Sequence, residues 1–236
     1  MTLGPVTRPA LRYHGSKWLA APWILSHMPE HHCYVELFGG GGAVLLRKAP
    51  SAIEVYNDTE GQVVNFFRVL RERGDELVEA LRLTPYARAE LHLSYEDSGD
   101  PLEAARRTFV RMWQGHGGSR SSWRTGWRYQ RNKNLRHDIV DDWNDSDRLL
   151  AVAGRLKSVQ IECGDALAVI RRFDTPGTLF YADPPYVTET RSARWRKNAY
   201  GDSEMTDDDH RTLAMALHGI QGMAIVSGYA SPLYDE

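Results

Sequence analysis

The chain has 236 residues, 42% of them hydrophobic and 25% charged, an ordinary globular composition that suits one large domain or one domain with an inserted lobe. No apolar run reaches membrane-spanning length, and the N-terminus, with Pro5, Arg8 and Pro9, lacks the apolar centre of a signal peptide. Cys33 and Cys163 sit in apolar contexts without metal-ligand spacing, so both are expected to be buried free thiols of a cytoplasmic protein. The net charge of −2 hides an asymmetry. Residues 104–137 carry nine basic and no acidic residues, which leaves 20 basic against 31 acidic elsewhere, a balance of −11. A basic lobe on an acidic body suits a polyanionic partner. Trp113, Trp123, Trp127 and Tyr129 in the same stretch argue against a merely solvated face.

Residues 1–10 read as a loose arm and 11–18 as a polar turn. A helix is predicted over 19–28, ending before Pro29. The first strand spans 33–38 and runs into four glycines, with a short helix over 43–48 after them. A second strand covers 52–56. Residues 60–83 are helical, with Val63, Val64, Phe67, Leu70, Leu77, Val78 and Leu81 as an apolar stripe that Gly74 interrupts. Residues 84–150 read as an insert, helical over 101–114 and without clear period over 115–134. The chain returns through a helix at 147–156, a strand at 159–163, a helix at 167–172 and a strand at 178–182. Thr206 caps a helix to His218, with Asp207 to Asp209 at its positive end, and a last strand covers 223–227. Alternating strands and helices predict an α/β fold with a parallel sheet. The chain divides into three segments: 1–83 and 151–236 form one main domain, and 84–150 an inserted lobe.

The most telling motif is Asp183-Pro184-Pro185-Tyr186. It closes the buried strand 178–182, and the prolines stiffen the turn because each fixes φ and neither donates to the sheet. In open α/β sheets ligands bind at such strand ends. A carboxylate, carbonyls without a competing N–H and a flat ring suit a planar amine; the plainer reading is a surface turn. From Phe38, at the end of the first strand, Gly39 to Gly42 lead into a helix, an arrangement that favours an anion. It lacks the Gly-Lys-Ser/Thr of a phosphate loop, and Val44 replaces the third glycine of a dinucleotide fingerprint. Asp58 ends the second strand, as an acid that binds ribose hydroxyls does. Asp165, just past the third, suits an adenine amine. Each of these two carboxylates is alternatively a helix cap or turn residue. Anion site, diol acceptor and amine acceptor together fit S-adenosylmethionine.

These segments resemble the alpha-group (Dam-like) DNA adenine-N6 methyltransferases. Arg12-Tyr13-His14-Gly15-Ser16-Lys17 is similar to their N-terminal Lys-Trp-Ala-Gly-Gly-Lys, with Tyr in place of Trp and His-Gly-Ser in place of Ala-Gly-Gly. Residues 35–42 resemble their methionine-binding loop, Asn57-Asp58 their ribose-binding segment, and 183–186 their catalytic motif, in the family's order and over nearly the whole chain. The resemblance implies a class I S-adenosylmethionine-dependent (Rossmann-like) sheet with a mainly helical DNA-recognition lobe. It implies cofactor contacts from Tyr13, Lys17, Glu36, Phe38, Gly39, Gly41, Asp58, Asp165 and Asp183. Arg12, Arg120, Trp123, Arg124, Trp127, Arg128, Arg131, Lys133 and Arg136 are the candidates for double-stranded DNA; Trp123 and Trp127 are either wedges or the lobe's small core.

Adenine N6 is a poor nucleophile because its lone pair is delocalised into the ring. Asp183 and the Pro184 carbonyl are expected to accept its two N–H bonds, on a base flipped out of the duplex and stacked on Tyr186. Tyr200 is a further candidate wall of that pocket. No metal is expected, and neither cysteine sits in a loop suited to nucleophilic attack on cytosine. The segment 227–234 resembles one that in similar family members leads into further strands; their lack here predicts a truncated sheet. The alternatives are a weakly active or inactive DNA- or cofactor-binding remnant and, among enzymes, a cytosine-N4 methyltransferase. A glutamine-amide methyltransferase fits less well, since it would not need the basic insert. A restriction-modification setting and a stand-alone or phage one read alike.

Overall fold

The computed structural model describes residues 4–116, 124–131, 138–191 and 204–236. They include a five-stranded, all-parallel sheet of β1 (Cys33–Glu36), β2 (Ile53–Asn57), β3 (Val159–Glu162), β4 (Thr178–Ala182) and β5 (Met223–Val226), in the order β3-β2-β1-β4-β5. The order reverses at β1, between β2 on one side and β4 on the other, and the C-terminal ends flanking such a switch point are where open sheets bind ligands. The mixed α/β fold expected from sequence is thus present, and it is that of a class I methyltransferase.

Two compact units make up the chain. The first comprises 1–21, 40–47 and 61–158, and the second 22–39, 48–60 and 159–236, which holds the whole sheet. In the sheet unit one face of the strands presents Cys33, Val35, Leu37, Val55, Phe180 and Ala182. These pack with Ala166, Val169 and Ile170 of α9 (Ala166–Phe173) and Leu213 of α10 (Asp207–His218). Side chains alternate along a strand, so the other face carries Tyr34, Glu36, Glu54, Tyr56 and Tyr181, all buried as well. Register sets Glu36 between Tyr56 and Tyr181. Strands buried on both faces are typical of parallel sheets. Here the second face is unusually polar, and Tyr34 donates to Glu36 at 2.8 Å while Lys48 pairs with Glu54 at 3.2 Å.

The first unit is helical: α2 (Ala43–Arg47), α3 (Gly61–Glu72), α4 (Gly74–Arg82), α5 (Arg88–Leu93), α6 (Pro101–Gln114), α7 (Ile139–Asn144) and α8 (Leu149–Leu156). The remaining helix, α1 (Ala21–Ser26), is shorter than the 19–28 predicted. An aromatic spine organises the helical unit. Phe66 lies 5.3 Å from Phe67 and 6.1 Å from Phe109; Phe109 lies 5.7 Å from Trp113 and 5.4 Å from Trp143, which reaches Tyr86 at 5.9 Å. The Trp143 indole donates to the Thr84 carbonyl and that of Trp113 to Ala10. Arg148 lies 4.4 Å over the Trp113 ring, and burial lowers its guanidinium to about 10.

Several expectations need correction. Cys163 is exposed, because β3 ends at Glu162. Helices α5 and α7 were not anticipated; each has six residues, too few for a period to show. Trp113 is buried within the spine, so it adds no aromatic surface. Three of the nine basic residues in 104–137 are internal. Arg106 pairs with Glu90 and Glu103 at 2.7 and 2.6 Å, Arg107 with Glu103 at 2.7 Å, and Arg111 is buried, donating to the Ser94 carbonyl at 2.6 Å. The stretch is therefore less basic at its surface than its composition indicates.

Candidate active site

The sheet unit gathers its strand ends through one side chain. Asn57, the fully buried last residue of β2, donates from Nδ2 to the carbonyls of Leu37 (2.9 Å) and Gly164 (3.0 Å), and its Oδ1 accepts from the Gly164 amide (3.0 Å). Its own carbonyl accepts from Gly39 at 2.7 Å, and Leu37 donates to Tyr181 of β4 at 3.0 Å. The exits of β1, β2, β3 and β4 are thereby tied together. Sequence reasoning had named Asn57 only as the neighbour of Asp58.

On this frame Asp58 is nearly buried and accepts from the Glu60 amide at 2.8 Å in an Asx-type turn. Asp165 is exposed and caps α9, accepting from the Ala168 amide at 3.0 Å. The helix-cap reading of Asp165 is therefore realised, and one oxygen is committed to it. Glu36 is buried on the strand face beside the Tyr34 hydroxyl. Phe38 packs on the sheet core. At Gly39 a Cβ would lie 2.2 Å from the Tyr56 ring, so that position excludes any side chain.

In the helical unit, Gly40 has φ +46 and lies against the Tyr13 ring, and a Cβ on Gly41 would meet Tyr13 Cβ at 3.0 Å. The glycines thus let the backbone approach an aromatic ring of the protein itself, the ring that sequence had assigned to the cofactor. Lys17 donates to the Gly15 carbonyl at 2.9 Å.

The turn after β4 divides by burial. Pro184 and Pro185 are buried, whereas Asp183 and Tyr186 are half-buried. Burial, and next the Asp183 carboxylate, push the Tyr181 phenol well up, and its hydroxyl pairs with Ser227 of the adjacent chain segment at 2.8 Å. Tyr229 meets the Tyr186 ring edge-on at 5.0 Å. Arg191 donates to the Tyr186 carbonyl at 2.6 Å and pairs with Glu204. His210 is buried, with Nδ1 3.1 Å from the Tyr234 hydroxyl, and burial lowers its pKa. Sequence reasoning missed Tyr229, Arg191 and His210 as neighbours of the motif.

Of the DNA candidates, Arg124 and Arg131 are exposed, over the rings of Tyr95 and Tyr129. Arg128 is half-buried; its amide donates to Gln114 at 2.7 Å and its carbonyl accepts from Tyr86. Burial, and next the charge of Arg128, hold the Arg12 guanidinium below its usual value, and Arg12 Nη1 is buried without a hydrogen-bond partner among the described residues. Trp127, half-buried, lies 5.5 Å from Tyr86 and donates to Gln114, so it continues the spine. Arg120, Trp123, Lys133, Arg136 and Tyr200 lie outside the described residues.

A carboxylate and a ring thus stand on a proline-stiffened turn at the switch point of a parallel sheet. The model of the D12 class N6 adenine-specific DNA methyltransferases matches residues 13–100 and 120–231. The chain belongs to this family. It is an adenine-N6 DNA methyltransferase, and the remnant and cytosine-N4 readings are not favoured. No curated protein matches it. A methyl donor and DNA are implied by the family's reaction. Among the described residues no helix is long and apolar enough to cross a membrane.

Proposed function

We propose that the enzyme methylates an adenine flipped out of double-stranded DNA, with S-adenosylmethionine as donor and Asp183, Pro184 and Tyr186 as the catalytic residues. The observation that carries this reading is the half-buried Asp183 between the buried end of β4 and two buried prolines. Its carboxylate is held by a turn that has no N–H at 184 or 185 to compete for it.

The strand ends fit the donor. Asp58 offers a fixed acceptor for ribose hydroxyls, and Asp165 keeps an exposed carboxylate for an amine even while it caps α9. Glu36, Phe38 and Gly39 lie at the exit of β1, where Gly39 lets the main chain pack directly on the Tyr56 ring. When bound, S-adenosylmethionine supplies an electrophilic methyl group on a sulfonium.

The protein's part is to prepare N6. Asp183 accepts one N6–H and the Pro184 carbonyl the other, which draws the lone pair out of the ring and favours a pyramidal nitrogen. As the N–C bond forms and the methyl's bond to sulfur breaks, positive charge would grow on N6; a carboxylate already in place would stabilise it without reorganisation, and the surplus N6 proton would leave by way of Asp183 to solvent. A base inside the duplex cannot reach this turn, so it is extruded and stacked on Tyr186, an interaction worth about 1–3 kcal/mol per base. In the helical unit, Arg12, Arg124, Arg128 and Arg131 are the described residues proposed to hold the DNA.

The test is transfer of labelled methyl from S-adenosylmethionine to mixed-sequence duplex DNA, with product nucleosides separated. The unsubstituted chain is expected to yield N6-methyladenine. Asp183→Ala is expected to lose about 100- to 1000-fold in kcat, the scale for removing one preorganised group, while still binding DNA. Full activity in that variant would sink the mechanism.

A further inference from the structure

The Asp-Pro-Pro-Tyr turn has a weakness built into it. Neither Pro184 nor Pro185 donates a main-chain hydrogen bond, so the sheet cannot pin the chain between Asp183 and Tyr186. The residues just beyond the turn compensate. Val187 is buried, and a single 3-10 turn over Thr188–Thr190 reverses the chain, with the amides of Thr190 and Arg191 donating to Val187 and Thr188. The reversal brings the Arg191 side chain back onto the Tyr186 carbonyl. Nε donates to that oxygen at 2.6 Å, and Nη2 donates to it as well. The outer edge of the guanidinium faces Glu204, at 2.9 Å from each carboxylate oxygen.

Arg191 is only 5% exposed and Glu204 25%. Burying a guanidinium is costly, and an apolar side chain of similar volume commonly stabilises a fold as well or better. A charged fork closed on one main-chain oxygen gives instead direction: its hydrogen bonds are short and fixed in plane. The oxygen it holds belongs to the residue whose ring stands half-exposed beside Asp183. Tyr229, edge-on at 5.0 Å, limits the same ring from its side chain. The backbone and the ring of Tyr186 are therefore restrained separately.

We infer that Arg191, countered by Glu204, is a positioning residue that sets the main-chain direction of Tyr186 and, through it, the plane on which the target adenine stacks. The inference rests on the reading of Tyr186 as the stacking partner of the base. It assigns the second half of the catalytic turn to an arginine that touches neither base nor donor.

The experiment uses the full chain with Arg191→Lys, Arg191→Gln and Tyr186→Ala. Single-turnover transfer of labelled methyl to mixed-sequence duplex DNA is measured at saturating S-adenosylmethionine, alongside donor affinity and thermal unfolding. Arg191→Gln is expected to slow transfer about 100-fold, the scale of a misplacement near 1 Å at the reacting atoms. Arg191→Lys keeps the charge and one donor, so it is expected to recover to about tenfold below the unsubstituted rate, with donor affinity and unfolding temperature unmoved. A purely structural role would lower the unfolding temperature and leave the rate of the folded fraction intact, and that result overturns the inference. If Arg191→Gln does not fold, Arg191→Lys decides: a rate within about twofold of the unsubstituted chain refutes the positioning role. Tyr186→Ala keeps the two readings apart. Full activity there removes the stacking role itself, whereas a slow Tyr186→Ala beside a normal Arg191→Lys removes only the role of Arg191.

Discussion

The sheet unit and the helical unit put their polar side chains to different uses. In the sheet unit, beside the buried side-chain pairs Tyr34–Glu36 and Lys48–Glu54, Asn57 at a strand end binds the main chain of two neighbouring segments, and Arg191, countered by Glu204, binds a carbonyl beyond the prolines. What these last two hold is the direction of loops. In the helical unit the buried Arg111 also binds a carbonyl, that of Ser94, but the half-buried arginines serve packing. Arg148 lies on aromatic rings, and Arg106 and Arg107 share Glu103. Loss of a polar group should therefore disturb the site in the first unit and the fold in the second.

The sharpest test of that division is Trp143→Ala. Trp143 is 3% exposed, joins Phe109 to Tyr86 and donates to Thr84. Its truncation is expected to cost about 3–5 kcal/mol, read by urea unfolding, with the methyl-transfer rate of the folded fraction unchanged. Asn57→Ala comes next. It strips partners from the Leu37 carbonyl and from both polar groups of Gly164, an expected loss of about 2–3 kcal/mol at roughly 1 kcal/mol or more each. Unlike Trp143→Ala, it should also weaken donor binding, because the frame for Asp58 and Asp165 goes with it. If Asn57→Ala weakens stability alone, strand-end direction is not what Asn57 provides.

Charge in the helical unit gives a pH test. Hydrogen bonds from Arg106, joined by those from Arg107, outweigh burial and hold the Glu103 carboxyl down at about 2, from an ordinary 4.5. A depressed folded-state value means that this contribution is whole above about pH 4.5 and is lost as the pH falls towards 2. Glu103→Gln should flatten the acid limb of the unfolding midpoint across that window. An acid limb of unchanged steepness would assign it to other carboxylates.

Legibility in the sequence is greatest where the chain punctuates itself. The strand 178–182 and the helix 101–114 were read to their observed bounds, because prolines close the one and the Asp100 cap with Pro101 opens the other. Thr206 and Asp209 form the full capping box of α10. The Asp183–Tyr186 turn was legible as a motif because four adjacent residues compose it. Arg191 was not, since a bond from a side chain to a main-chain oxygen leaves no period and no spacing. Charge was the poorest guide: counting arginines over 104–137 cannot separate Arg111, buried on Ser94, from Arg124, exposed over Tyr95.

That last pair of behaviours yields the smallest effect and the most direct comparison of surface with interior. Arg107 directs its guanidinium to Glu103 and to the carbonyls of Glu96 and Asp97, so its charge is committed within the fold. Arg124 is exposed, with the Tyr95 ring beneath it. Each phosphate contact contributes close to one unit to the slope of log affinity against log salt. Arg124→Ala is therefore expected to weaken DNA binding and lower that slope by about one, at unchanged thermal stability. Arg107→Ala should do the reverse, lowering the unfolding temperature and leaving the slope alone. Fluorescence anisotropy of labelled duplex over a salt series reads both. Equal slopes for Arg124→Ala and the unsubstituted chain would place the DNA elsewhere on the unit, and a reduced slope in Arg107→Ala would mean that the ion pair with Glu103 opens when DNA arrives.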